Sequence, residues 1–255
     1  MSILLLDLGN TALKWALLDN CEETNAYVHN SSGVLGDGVI EQWESLNIEA
    51  AYGTTVASEW ISHGINQALH RKSVDCHWLQ STSEFNGDFR LRNGYAYPHM
   101  LGADRWHAAI GAVTLHPNEA LLIIHMGTAA TVDSVIPQGD NEYLFLGGRI
   151  APGPAMMLEG LSRGTAHLPR ALGKYQDFPD NTVDAITTGI IDSQLGLVQR
   201  AYSQMKAICE SPRILLAGGA ARLIAPHLSK EFEKVDLRHN LVITGLATRA
   251  KTLTK

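Results

Sequence analysis

Three short stretches carry residue types that could do chemistry. The first, Asp7-Leu8-Gly9-Asn10-Thr11-Ala12-Leu13-Lys14, follows the apolar run Ile3-Leu4-Leu5-Leu6. A carboxylate at the end of a buried strand is costly unless it binds something. Mg2+ carrying nucleotide phosphates, held largely through waters, suits it in charge and ligand type. Gly9 lets the chain turn close to a phosphate. Asn10, Thr11 and backbone N–H groups supply donors, and Lys14 adds positive charge. The same residues also read as an ordinary hairpin turn in which Asp and Asn serve turn geometry. The second stretch, Gly127-Thr128-Ala129-Ala130-Thr131-Val132-Asp133, follows another apolar run, residues 121–124. Thr128 and Thr131 offer hydroxyl donors beside a flexible glycine, and Asp133 is a second acid. Two such turns from two similar halves could clamp a chain of phosphates.

The third stretch is Leu101-Gly102-Ala103-Asp104-Arg105-Trp106. An acid in a first helical turn favours the helix dipole, which accounts for Asp104. It does not account for Arg105, whose charge is unfavourable there and suits a ligand carboxylate or phosphate held by two hydrogen bonds. Two glycine-rich segments stand beside these. Residues 146–154 (Leu-Gly-Gly-Arg-Ile-Ala-Pro-Gly-Pro) predict specific turns that either shape a substrate floor or reverse the chain. Residues 215–220 (Leu-Leu-Ala-Gly-Gly-Ala) suit either a flat ring lying on backbone or close helix–strand packing.

Elements of both kinds must position these residues. Residues 3–8 and 121–126 predict buried strands, each followed by a tight turn and a second strand, residues 13–18 and 130–136. Residues 52–56 and 213–217 predict further strands, the latter running into a helix opened by Gly218-Gly219. Helical spacing marks residues 59–70, 106–115 and 192–209. The helix ending at Leu115 stops before Pro117. Residues 86–98, rich in Gly, Tyr and Arg, predict a long functional loop. Strands alternating with helices indicate an α/β protein, divided into two comparable halves at residues 1–117 and 118–255.

Composition bounds the function. The 255-residue chain is 45% hydrophobic and 18% charged with formal net charge −6, which argues against a nucleic-acid backbone as partner. Cys21, Cys76 and Cys209 are far apart and form neither a disulfide framework nor a zinc site. The first residues lack a basic leader and Asp7 interrupts their apolar run, so no signal peptide is expected, nor a membrane span, and the expected location is cytoplasmic. His63, His70 and His77 recur every seven residues and read as chance or a surface stripe. Walker A, Rossmann and nucleophile-elbow patterns are absent.

Five motifs in order span nearly the whole chain: DxGNTxxK (Asp7 to Lys14), YxxPxxLGxDR (Tyr95 to Arg105), GTAxTxD (Gly127 to Asp133), GGxIxPG (Gly147 to Gly153) and Thr182-Val183-Asp184-Ala185-Ile186-Thr187-Thr188-Gly189. This set resembles the type III pantothenate kinases of the actin–hexokinase superfamily. The resemblance implies two duplicated actin-like (ribonuclease H-like) domains with an interdomain cleft, a homodimer, and ATP- and Mg2+-dependent phosphorylation of pantothenate, the first step of coenzyme A synthesis. It implies that Asp7, Leu8, Gly9, Asn10, Thr11, Ala12, Leu13, Lys14 and Thr128 bind ATP, with Asp7 on Mg2+ through water. Asp104 would be the base, and Tyr95, Gly102, Ala103, Asp104, Arg105 and Thr182 would hold pantothenate; Tyr97 is the nearby alternative to Tyr95. One residue departs from the pattern. Where the family usually has an acid that ligates K+ or ammonium, this chain has His125, and imidazole is a poor K+ ligand. His125 either replaces the cation's charge or marks a weakened, regulatory member akin to transcription accessory factors. A sugar kinase of the same superfamily is a third reading, disfavoured by the Tyr95 and Asp104-Arg105 matches.

Overall fold

The computed structural model describes residues 2–29 and 36–254. They form two compact units. The first comprises the described residues of Met1–Asn118, Pro137–Phe145 and Asn240–Lys255, the second Glu119–Ile136 and Leu146–His239.

The first unit is built on β1 (Ser2–Leu8), β2 (Ala12–Leu17), β3 (Asn20–Val28), β4 (Ile48–Thr55) and β5 (Cys76–Trp78), in sheet order β3-β2-β1-β4-β5. β1 runs antiparallel to β2 and parallel to β4. Alternation along a strand sends Leu4, Leu6 and Leu8 to one face. There they pack with Leu13 and Trp15 against α1 (Asp37–Ser45) and α2 (Glu59–His70) through Val39, Trp43, Ile61, Ile65 and Leu69. Leu5 and Asp7 point to the other face, where α3 (Ala103–Leu115) and α7 (Leu241–Leu253) lie. Those two helices meet backbone to backbone. A methyl group on Gly111 would strike the Leu241 carbonyl, and one on Gly245 the His107 carbonyl.

The second unit repeats the plan. β8 (Leu121–Met126), β9 (Ala129–Gly139), β10 (Glu142–Pro152), β11 (Arg213–Ala217) and β12 (Val235–Leu237) follow the order β10-β9-β8-β11-β12. β8 is antiparallel to β9 and parallel to β11, as β1 is to β2 and β4. Helix α5 (Thr182–Lys206) and α6 (Ala221–Glu231) cover one face, with Leu122, Ile124, Ile214 and Leu216 meeting Leu195, Val198, Ile224 and Leu228. Arg213 ties the strand edges together through Glu119 at 3.0 Å and Asp236 at 3.1 Å. α4 (Pro154–Gly164) completes the unit. The far end of the β9–β10 hairpin, residues 137–145, belongs to the first unit. There Glu142 to Phe145 pairs with β7 (Arg90–Asn93), which pairs with β6 (Glu84–Asn86).

Several sequence expectations change. Residues 86–98 are not one long loop: they hold β7 and the end of β6, then a 3-10 turn opens at Pro98. A single buried side chain, Leu91, anchors β7, so the apolar signal was too thin to read. Residues 146–152 do not turn but continue β10, their backbone held in the strand despite two glycines. The long helix starts at Thr182, ten residues earlier than its apolar spacing suggests, because Asn181 caps it by accepting from the Asp184 N–H at 3.0 Å. The helix after Gly218 starts at Ala221.

Candidate active site

In the first unit the β1–β2 hairpin closes on a Gly9 N–H to Ala12 carbonyl bond of 3.0 Å. Asn10 and Thr11 are exposed at its tip. Asp7 is buried, 7% exposed, with Lys14 directly across on β2 and Thr54 directly across on β4. Burial pushes the Asp7 carboxyl up to about 6; the Lys14 charge pulls the other way, and the nearby Asp104 charge adds to the rise. Asp7 and Asp104 therefore lie close enough to repel. Thr54, wholly buried, has a hydroxyl with no hydrogen-bond partner among the described residues. Its place in the Asp7 row was not read from the sequence, where Thr54-Thr55 looks like any strand end.

Asp104 stands in the first turn of α3. Its Oδ1 accepts from the Arg105 N–H at 2.8 Å and folds over Gly102, where a β-carbon would come within 2.8 Å of that oxygen. Gly102 thus leaves room for this carboxylate position. Arg105 is buried, and its Nη1 donates to the Tyr95 hydroxyl at 2.9 Å with the guanidinium 5.7 Å from the Tyr95 ring centre. Tyr97, by contrast, is 69% exposed and its ring meets His99. One turn on, His107 is fully buried. Its Nδ1 donates to the Ala103 carbonyl at 2.7 Å, so Nε2 accepts from Arg249 of α7 at 3.2 Å. Burial first, and the Arg249 charge second, push His107 down to about 3, which keeps the ring neutral. This network fixes the start of α3 beneath Asp104.

His29, just after β3, touches the Gly9–Thr11 turn twice. Its Nε2 lies 2.9 Å from the Gly9 carbonyl, and its backbone N–H donates to the Thr11 carbonyl at 3.1 Å. Nothing near it in sequence points to this contact, which is made across twenty residues.

The second unit holds Thr128, His125 and Thr182. The turn after β8 closes on a Gly127 N–H to Ala129 carbonyl bond of 3.1 Å, matching the Gly9 turn. Gly153 presses on it: its N–H donates to the Thr128 carbonyl at 2.9 Å, and a β-carbon there would strike the Gly127 carbonyl. Gly218, at φ +101°, packs on the Met126 carbonyl and the His125 ring, while the Ala220 N–H donates to the Met126 carbonyl at 3.0 Å. Both glycine-rich segments therefore brace the Gly127-Thr128 turn. His125 occupies the place in β8 that Asp7 occupies in β1, two residues before the glycine. Thr182 is exposed in the first turn of α5. Around it, Asp184 accepts from the Lys174 N–H and from Gln176 and Asn181 side chains, and these bonds hold its carboxyl below the usual range.

The family model of the type III pantothenate kinases matches residues 3–204. The chain belongs to the type III pantothenate kinases. It is therefore an enzyme of the phosphotransferase class. It is 38% identical to the type III pantothenate kinase of Janthinobacterium sp. (strain Marseille) over 97% of both chains. To that of Aromatoleum aromaticum it is 39% identical over 98% of both. Among solved structures it resembles a Campylobacter jejuni protein assigned to the Baf family of transcriptional activators, with a TM-score of 0.61, 20% identity and 98% of each chain covered. It also resembles an inorganic polyphosphate/ATP-glucomannokinase from Arthrobacter sp. strain KM, with a TM-score of 0.50, 13% identity, and 100% and 99% of the two chains covered. At these identities the structural likenesses speak to the fold, which is the two-domain actin-like one.

Proposed function

We propose that this pantothenate kinase moves the γ-phosphoryl group of ATP to the primary hydroxyl of pantothenate with Asp104 as the base, giving 4′-phosphopantothenate at the first step of coenzyme A biosynthesis. The observation that carries the residue assignment is the pairing of two carboxylates in one unit, Asp7 buried and Asp104 at a helix start, beside a buried arginine. Phosphoryl transfer asks a protein for alignment and charge neutralisation more than for covalent chemistry. Asp104, held by the Arg105 N–H, orients the hydroxyl and takes its proton as the new P–O bond forms. Arg105, steadied by Tyr95, faces the substrate's carboxylate or the transferring phosphoryl group. Gly102, Ala103 and Thr182 complete the pantothenate site. The turn of residues 8–13, with Lys14 and Thr128, takes the ATP phosphates.

The residues around Asp7 fit a hydrated Mg2+. Burial disfavours the Asp7 charge more than Lys14 offsets it, and the Thr54 hydroxyl beside it has no hydrogen-bond partner among the described residues; a cation with its water shell supplies both needs. When bound, Mg2+ neutralises phosphate charge. His125 does not fit a K+ site, so we expect turnover to be the same in K+ and in Tris-only buffer. A strict K+ requirement would defeat that reading. As repeated domains we take residues 1–117 and 118–255; α7 nonetheless packs within the first unit. A homodimer in the cytoplasm is inferred from family membership, and no described helix is long and apolar enough to cross a membrane.

The deciding experiment is pantothenate-dependent ATP consumption by the intact protein and by Asp104→Asn. The variant should lose about 100-fold or more in kcat, the scale of general base catalysis. A full rate in Asp104→Asn removes Asp104 as the base.

A further inference from the structure

The contacts of His29 carry an inference that rests on reading the Gly9–Thr11 turn as a phosphate site. A carbonyl only accepts, so the His29 Nε2 proton is what bridges 2.9 Å to the Gly9 oxygen. The backbone N–H of the same residue holds the Thr11 oxygen at 3.1 Å. His29 thus grips the turn from behind, through two of its carbonyls. In a trans peptide the N–H points opposite to the C=O, and no described peptide is cis. Tying the Gly9 oxygen towards His29 therefore aims the Asn10 N–H away from it. The ring does this while buried, only 7% exposed, with Nδ1 finding no partner among the described residues. A buried imidazole that spends its Nε2 proton on a turn carbonyl twenty residues away has a positioning task beyond packing.

We propose that His29 is a positioning residue for nucleotide binding. It presets the amide of Asn10 towards a phosphate oxygen, so that the turn need not reorganise when ATP arrives. A preformed donor is worth more to binding than one that must first be ordered.

Two side chains separate this from a packing role. The amide nitrogen of glutamine falls where histidine Nε2 does, and that of asparagine where Nδ1 does. His29→Gln should keep the bond to the Gly9 carbonyl, and His29→Asn should lose it. Using the full chain, the dissociation constant of ATP would be measured by calorimetry, with the KM for pantothenate and the melting temperature alongside. Loss of one hydrogen bond's worth of preorganisation corresponds to about a 10-fold weaker ATP affinity in His29→Asn. His29→Gln should stay within about 2-fold of wild type on the same scale, and the KM for pantothenate should not move in either. Equal ATP affinity in the two variants overturns the proposal. So does a parallel rise in both substrates' constants that tracks melting temperature, the mark of a residue that only packs. Lys14→Ala serves as the control for the underlying reading. If it binds ATP as wild type does, the turn is not the phosphate site and both readings fall together.

Discussion

Asp7 is stable only with help. An ordinary aspartate titrates near 3.8, and burial lifts this one to about 6. The sign follows from linkage: folding favours the protonated acid, so the penalty is absent below about pH 4 and complete above about pH 6. Its size is on the order of 3 kcal/mol. Asp7→Asn should therefore melt higher than wild type at pH 7.5 in the absence of nucleotide, with the gain vanishing at pH 4. Mg-ATP should raise the melting temperature of wild type and not of the variant. A wild type that out-melts Asp7→Asn at pH 7.5 without ligand would contradict the burial argument. Asp7 and Asp104 stood out as candidates in the sequence, although turn geometry and the helix dipole each offer a structural reading; it is Arg105 beside Asp104 that the dipole does not explain. Thr54 and His29 were not legible. Their importance lies in register and in a contact across twenty residues, neither of which leaves a local pattern.

At the scale of elements, glycine permits the close crossing of two helices. α3 and α7 cross at Gly111 and Gly245, each of which faces backbone of the other helix. Backbone cannot swing aside as a side chain can, so Gly245→Ala should cost at least about 1–3 kcal/mol, read as a fall in urea midpoint. It should also weaken catalysis, because His107 and Arg249, which steady the start of α3, lie on these same two helices. Unchanged stability in Gly245→Ala would mean that the helices separate freely. The strands β1, β8 and β11 and the helix α2 were read from apolar runs and periodicity, since those elements bury whole faces. β7 escaped because one leucine does all its burying. Residues 146–154 suggest turns because their glycines and prolines look like breaks. In the folded chain these residues lie beside β9, and the Gly153 N–H bond to the Thr128 carbonyl holds their far end.

At the scale of the whole molecule, the same strand order recurs in the two units, and the sequence shows it as two similar strand–turn–strand segments. The rest was hidden because the outer strands of the repeats share no residues that look alike. The chain does not keep the two packing units apart. It changes unit after Asn118, Ile136, Phe145 and His239. A fragment ending at Asn118 lacks both the strand that pairs with β7 and the helix that packs on α3. Expressed alone, it should show no cooperative thermal transition by circular dichroism; a sharp one would show that the early residues suffice. The late position of α7 has a consequence during synthesis. At about 5–20 residues per second, the sheet that bears Asp7 and the helix that bears Asp104 leave the ribosome many seconds before α7, which packs on both. Through that interval the sheet's apolar face is open to chaperones and to neighbouring nascent chains, so the half of the enzyme that begins translation is the last to be finished.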